Sequence, residues 1–361
     1  MRTELKDKEN NEKEILVTLT PADMEQYLER AAQRLALDMK VKGFRDGQIP
    51  RRVVENVAGK NRVWNEAASE AMESSYTKAM GQQDIEPIGR PKADIIKLVP
   101  DNDFEFKITI PVMPALTLPD YKKIAADIFK KENKESKGVT VEEKEVEDAL
   151  QWLRKTRIPT DSGENTDSHE QKVGGLPEII DDKFAESVGG FKTLKELKDS
   201  MKDGIKKEKE NRERERVRLK ILDAILEKVN FQISDILVEQ ELDKMEDELA
   251  RQVGQMGMAM EDYLKKIGKK QDELRAGWRQ KAQQRVSTAI LLRSIGNAEK
   301  IEVSEEEVEQ EVGNYLSQFN SIDEAKRHTD PILLSSYIRG ILRNKKVFEL
   351  LGGGNNLKSK T

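Results

Sequence analysis

Apolar residues alternate with polar ones at Ile15, Val17 and Leu19 in "EILVTLT", a period of two that predicts a half-buried strand. Residues 1–12 are charged and polar and are expected to fray. Thr20 before Pro21, with Asp23 close behind, reads as a helix start: a capping hydroxyl, then proline at the first helical position. That helix should run to about Lys40. A loop, "VKGFRDGQIPRR" over residues 41–52, leads into a second helical stretch from about Arg51 to Met80. Two further strands follow in "ADIIKLV" and "DFEFKITIPV", where Phe104, Phe106, Ile108 and Ile110 alternate. Residues 1–112 thus read as an α+β domain, with helices lying on an antiparallel sheet.

The pattern then changes. "PVMPALTLPDYKKI" is punctuated by prolines, and residues 113–138 are expected to form an extended linker closed by the polar "KKENKESKG". Thr140 to Glu143 has capping-box spacing and opens a helix over 139–157 through Val146, Leu150 and Leu153. Residues 158–175 are polar, contain no aromatic residue, and predict a flexible connector. Residues 176–351 have helical periodicity almost throughout, and 352–361 form a flexible tail. Thr193 and Glu196 cap a helix whose apolar face is Leu194, Leu197, Met201 and Ile205. "KKEKENRERER", 206–216, then has no apolar residue at all, yet Glu208–Arg212 and Glu210–Arg214 sit at i,i+4 spacing and can carry the helix onward to Val229. Ser304–Glu307 and Ser321–Glu324 mark two later helix starts. The 361 residues are too many for one ordinary core and predict two or three domains, the first α+β and the remainder mainly α-helical.

Composition adds that the helical part is surface-rich. Charged residues make up 36% of the chain and aromatic residues 5%, a thin core supply for this length. The 63 Lys and Arg nearly balance the 68 Asp and Glu, so the surface is laced with ion pairs rather than uniformly charged. The absence of cysteine excludes disulfides, thiolate metal sites and cysteine nucleophiles. No apolar run approaches the roughly 20 residues a membrane helix needs. "MRTELKDKENNEKEI" has no apolar signal core, so a cytoplasmic protein is expected. Of the two histidines, His169 lies in the polar connector and His328 far from it, and both read as surface residues. Phosphate-binding, dinucleotide and zinc-protease patterns are missing. No catalytic residue, metal ligand or cofactor is expected.

The loop is the stretch that turn chemistry does not fully explain. Gly43 and Gly47 can supply positive φ and Pro50 can help start a helix. Phe44 remains unaccounted for, as does the excess of Lys40, Lys42, Arg45, Arg51 and Arg52 over Asp46. An aromatic held out among cations suits a negative surface with an apolar crevice.

Gly43-Phe44-Arg45-Asp46-Gly47-Gln48-Ile49-Pro50 resembles the ribosome-docking signature G-F-R-x-G-x-x-P of the trigger factor family, bacterial chaperones of nascent chains. "EPIGRPKADI", "FEFKITIPVMPALTLPDYKKI" and "LPEIIDDKFAESVGGFKTLKELKDSM" follow in the family's order, so the resemblance covers nearly the whole chain. It implies an ATP-independent chaperone with an elongated helical domain bearing protruding arms. It assigns Gly43, Phe44, Arg45, Asp46, Gly47 and Pro50 to ribosome docking. Polypeptide contact would fall to Met256, Met258, Met260 and Tyr263 at a hairpin tip, and to Val312, Leu316, Phe319, Leu333 and Tyr337. The methionines suit promiscuous contact because they are flexible and polarizable; the competing reading is that they fill a hairpin core. The implied partners are the large ribosomal subunit, its protein and rRNA at the tunnel exit, and unfolded or nascent polypeptides, with room for a homodimer off the ribosome and no membrane partner.

Two departures from the family stand out. Asp46 replaces the family's usual lysine, a reversed charge that works against docking on phosphate. This leaves open a free holdase or assembly chaperone without ribosome binding, and the basic loop leaves open an RNA-binding adaptor. The connector 158–175 stands where the family carries an FKBP-like prolyl isomerase domain. Eighteen residues without an aromatic cannot build that barrel, so no isomerase activity is expected.

Overall fold

The computed structural model describes every residue except 46, 82–84, 136–137, 158–179, 318–330 and 353–361. In chain order the described elements begin β1 (Arg2–Lys8), β2 (Glu12–Leu19), α1 (Pro21–Leu37), α2 (Arg51–Ala58), α3 (Lys60–Met80), β3 (Lys92–Lys97) and β4 (Phe104–Pro111). Next come α4 (Tyr121–Glu135), α5 (Glu143–Arg157), α6 (Asp182–Val188) and α7 (Leu194–Leu226). The last are α8 (Asp235–Gln255), α9 (Met260–Ile267), α10 (Gln271–Ala298), α11 (Glu305–Leu316) and α12 (Pro331–Leu351). An antiparallel sheet with helices precedes a mainly helical remainder, the α+β then α order expected from the pattern.

Contacts divide the chain into two compact units, and neither is continuous in sequence. One combines Met1–Leu118 with Val229–Glu302, the other Pro119–Lys228 with the chain from Val303 on.

In the first unit the four strands lie in the order β1-β2-β4-β3, every neighbouring pair antiparallel. Ile15, Val17 and Leu19 of β2 and Phe104, Phe106, Ile108 and Ile110 of β4 form its buried face. Against them pack Met24, Tyr27, Leu28, Ala31 and Ala32 of α1 and Trp64, Ala67, Ala68 and Ala71 of α3. The alanines allow two helices and a sheet to share one thin core. The predicted cap is present: Thr20 Oγ1 accepts from the Asp23 N–H at 3.3 Å, and Asp23 Oδ2 accepts from the Thr20 N–H at 3.0 Å.

Several expectations are corrected here. The N-terminal residues do not fray. Arg2–Lys8 pairs along the whole of β2 as an edge strand, whose charged exposed side chains suit that position. Asn10 and Asn11 reverse the chain at φ 62° and 57°, a left-handed conformation that asparagine tolerates. Helix α1 ends at Leu37, short of Lys40. The stretch 51–80 is two helices, because Gly59 at φ 91° breaks the backbone between them. Residues 121–135 are helix rather than extended linker. Ile124, Ala125, Ile128 and Phe129 carry a helical spacing that the flanking prolines and lysines masked.

The other half of this unit is the α8–α10 hairpin. Val238, Leu242 and Met245 of α8 meet Ala282 of α10. Outside that seam runs a ladder of ion pairs: Arg275 with Glu239, Asp243 and Glu246, Arg279 with Asp235 and Glu239, and Arg285 with Glu241 and Glu248.

In the second unit α7 is unbroken over 33 residues, about 50 Å at 1.5 Å per residue. Its polar middle is tied to neighbouring helices as well as to itself. Lys209 pairs with Glu145 of α5, and Arg216 and Lys220 grip Glu132 of α4. The local pair Glu208–Arg212 forms at 2.9 Å, whereas Glu210 and Arg214 do not pair. Val146, Leu150, Phe184, Leu197, Met201 and Ile205 bury the first half of α7 against α5 and α6. The cap of α5 is Glu142, whose N–H donates to Glu145 at 2.9 Å, instead of Thr140. Ser304 and Glu307 form the expected box at the start of α11; Ser321–Glu324 lies outside the described residues. Val308 of α11 packs on Leu334 and Ile338 of α12. Among the described residues, no helix is long and apolar enough to cross a membrane, and no His, Asp and Glu cluster is arranged to hold a metal ion.

Candidate functional site

The loop after α1 is held by its own backbone. The Phe44 N–H donates to Val41 O at 3.2 Å, Gln48 N–H to Arg45 O at 3.0 Å, and Gly47 N–H to Ala36 O in the last turn of α1 at 3.3 Å. Gly43 and Gly47 take φ 93° and 77°, a region an L side chain adopts only with strain. At Gly47 a Cβ would also sit 3.1 Å from Leu37 Cδ2. Pro50 is the N-cap residue of α2, its carbonyl accepting from Val53 at 2.8 Å and Val54 at 3.1 Å. Ile49 anchors the loop in the core. Phe44 stays 41% exposed, held out by a loop that is tied down on both sides of it. Asp46 lies outside the described residues.

The cations around this loop are not equivalent. Arg51 is mostly buried and bound at 2.7 Å to both Glu25 and Glu55, with Glu29 at 3.4 Å. Burial works to lower its pKa, but the hydrogen bonds to Glu55 and Glu25 outweigh it and hold the guanidinium above the usual arginine range. Arg51 therefore ties α2 to α1 and is unavailable to a partner, contrary to the count made from sequence. Lys40, Lys42, Arg45 and Arg52 are exposed, with no carboxylate partner among the described residues.

Sequence reasoning missed a second feature of this unit. Gly89, at φ 71° before Arg90, lies against α8. Gln240 clasps the neighbouring backbone, its Nε2 donating to Arg90 O at 2.7 Å and its Oε1 accepting from the Arg90 N–H at 3.0 Å. Ile88 packs with Val286, Ile290 and Leu237. Glu86–Arg293 at 2.6 Å and Asn11 to Gln232 O at 2.8 Å flank it. The glycine-proline punctuation of "EPIGRPKADI" was the visible signal.

Of the polypeptide-contact candidates, Met256 follows α8 at its C-cap and is 64% exposed. Gly257 turns the chain at φ 71°, and the Met258 N–H reaches back to Val253 O at 3.2 Å. Met258, Met260 and Tyr263 are half-buried, and α9 has no buried residue. None of the four is a core residue. Val312 and Leu316 are half-buried against the α11–α12 cluster, while Leu333 and Tyr337 are 66% and 65% exposed. Ile341, one turn beyond Tyr337, extends that exposed stripe and was not anticipated, although the i,i+4 spacing was there to read. Phe319 lies outside the described residues, as do His169, His328 and the connector 158–175.

A cleft of about 550 Å³ in the second unit is lined by Glu132, Thr140, Lys209, Arg212 and Arg216. Its charges are already engaged: Glu132 by Arg216 and Lys220, Lys209 by Glu145, and Arg212 by Glu208. Among the exposed surfaces are an aromatic loop among cations and apolar side chains at a hairpin turn and along α12. Such a molecule presents surfaces to macromolecular partners.

The comparisons agree with that class. A family model described as bacterial trigger factor protein matches residues 1–153, and one for the trigger factor C-terminus matches residues 193–353. The chain belongs to the trigger factor family of chaperones. Similar proteins include the trigger factors of Pelotomaculum thermopropionicum, 26% identical over 84% of this chain and 85% of that one, and of Clostridioides difficile, 24% identical over 97% and 98%. The latter alignment runs to 427 residues against the 361 here, so the relative carries sequence this chain lacks. Only residues 154–192 lie between the two matched regions. A solved trigger factor chaperone, studied for promiscuous substrate recognition in folding and assembly, superposes with a TM-score of 0.50 at 18% identity, covering 98% of this chain and 99% of that one.

Proposed function

We propose that this chaperone docks on the ribosome near the nascent-chain exit through the loop Gly43–Pro50 and shields unfolded polypeptides without ATP. Docking falls to residues 1–112. Client contact falls to the helical region 176–351, through the Met256–Tyr263 turn and the Leu333–Tyr337 face. The chain works in the cytoplasm and without prolyl isomerase activity, since the segment between the two family regions is too short for that domain.

The observation that carries this reading is Phe44. A phenylalanine left 41% exposed on a loop braced against α1, beside cations without carboxylate partners among the described residues, is a contact residue in search of a partner. Changing Phe44, Arg45 and Asp46 together to Ala should abolish co-sedimentation with ribosomes and leave helicity by circular dichroism unchanged. Undiminished binding would remove the docking role. Asp46→Lys alone should tighten binding, with a gain that shrinks as salt rises, because added charge contacts are screened. Asp46 also favours a second reading, a free holdase off the ribosome. It predicts that the unaltered chain protects clients yet fails to co-sediment.

A further inference from the structure

We infer that Leu37 is a second apolar contact of the docking face, seated with Phe44 in an apolar hollow of a protein surface rimmed by negative charge. The inference rests on the docking reading above. Leu37 is the last residue of α1 and is 70% exposed. The chain around it sends its other apolar side chains inward. Ala36 is buried, and Leu35, Met39 and Val41 pack against the sheet core. Leu37 alone of this run points to solvent.

The loop folds back on it. Gly47 donates its N–H to Ala36 O at 3.3 Å, and a Cβ on Gly47 would approach Leu37 Cδ2 to 3.1 Å. Glycine at that position therefore has two reasons, its φ of 77° and the room it leaves for Leu37. Within residues 37–52 the chain thus exposes a leucine, a phenylalanine and the cations Lys40, Lys42, Arg45 and Arg52. Phenylalanine alone would suit either an RNA base or a protein hollow, because an aromatic ring stacks on bases. Leucine has no ring to stack, and its burial needs apolar walls, which a phosphate backbone does not supply. The pair therefore points to a protein hollow, with the cations meeting the charge around it.

The test is co-sedimentation of Leu37→Ser, Leu37→Met, Arg45→Ala and Phe44→Ala chains with ribosomes at low and high salt, alongside binding to naked ribosomal RNA. Melting temperatures should match the unaltered chain, since Leu37 is exposed. Leu37→Ser should weaken ribosome binding about 10-fold, by the same factor at both salt concentrations, because apolar burial is not screened. The Arg45→Ala loss should shrink at high salt, and Leu37→Met should bind as the unaltered chain does. RNA binding should be indifferent to Leu37. If Leu37→Ser binds ribosomes normally while Phe44→Ala and Arg45→Ala lose binding, the inference fails and the docking reading stands. If all three bind normally, both fail. Equal losses for Leu37→Ser on ribosomes and on naked RNA would overturn the protein partner, and loss by Leu37→Met as large as by Leu37→Ser would overturn an apolar contact.

Discussion

Arg51 and Arg52 are adjacent in sequence and opposite in role. One is enclosed by three glutamates and braces two helices; the other faces solvent without a carboxylate partner among the described residues. Counting charges on a loop therefore overstates what a partner meets, because the carboxylates that consume Arg51 come mostly from α1. The methionines pose the converse question, whether side chains with core-like chemistry are used by a core. Met256 is exposed and Met258, Met260 and Tyr263 are half-buried beside a positive-φ glycine. Replacing all four with Ser or Gln should leave the melting temperature near that of the unaltered chain, at a cost within roughly half a kcal/mol for an exposed site. Suppression of aggregation of a denatured client should weaken. Core methionines would instead cost several kcal/mol each, through a cavity and an unpaired polar group, and a collapse in melting temperature would move the client surface to Leu333, Tyr337 and Ile341.

Elements in this chain are stabilised by partners distant in sequence. The polar middle of α7 has no apolar residue, and carboxylates of α4 and α5 add to its own local ion pairs. One glycine lies where the α8–α10 hairpin packs on the sheet domain. At Gly89 a Cβ would lie 2.5 Å from Leu237 Cδ2 and 2.8 Å from Gln240 Oε1. Leu237 can rotate away, but Gln240 can move only by giving up its two bonds to Arg90. Gly89→Ala should therefore cost about 1–2 kcal/mol of backbone strain plus about 1 kcal/mol for each lost bond. Gly43→Ala, at φ 93° with no atom within 4 Å, should cost the strain alone. Urea midpoints of the two variants distinguish them, and an equal shift would mean that Gln240 does not act as a clasp.

Across the whole molecule, carboxylates engaged by cations recur in both units. Lys220 and Arg216 hold Glu132 below the usual carboxylate range, Arg275 and Arg279 do so for Glu239, Lys209 for Glu145, and Lys346 for Glu307. A carboxylate with a lowered folded-state pKa stabilises the fold fully above its unfolded value, near 4.3, and loses that contribution as pH falls toward the folded value. The urea midpoint should be flat from pH 8 to about pH 6 and fall below about pH 5. A midpoint that rises on acidification would contradict this ion-pair account. Enzymatic behaviour is a property of the same scale. With residues 154–192 alone between the two family regions, a proline-limited refolding assay should show no acceleration of the slow phase. Catalysis at substoichiometric amounts would reveal an unrecognised active site.

The sequence by itself determined the elements whose signals are local. Ile15, Val17 and Leu19 and the alternating residues of β4 specified strands, Thr20 with Asp23 and Ser304 with Glu307 specified caps, and the glycines of the loop specified a turn that leaves Phe44 outside. These follow from backbone sterics and from periods of two or 3.6 residues, which neighbours along the chain express on their own. Only the tertiary structure decided which polar strand found an edge to pair with, which arginine was spent on α1, and that residues 229–302 complete a unit begun by residues 1–118. Those outcomes depend on contacts between positions up to 222 residues apart, such as Glu12 with Ser234. No local window contains both partners. Leu37 belongs to the same class: its exposure became informative only once Gly47 was found against it.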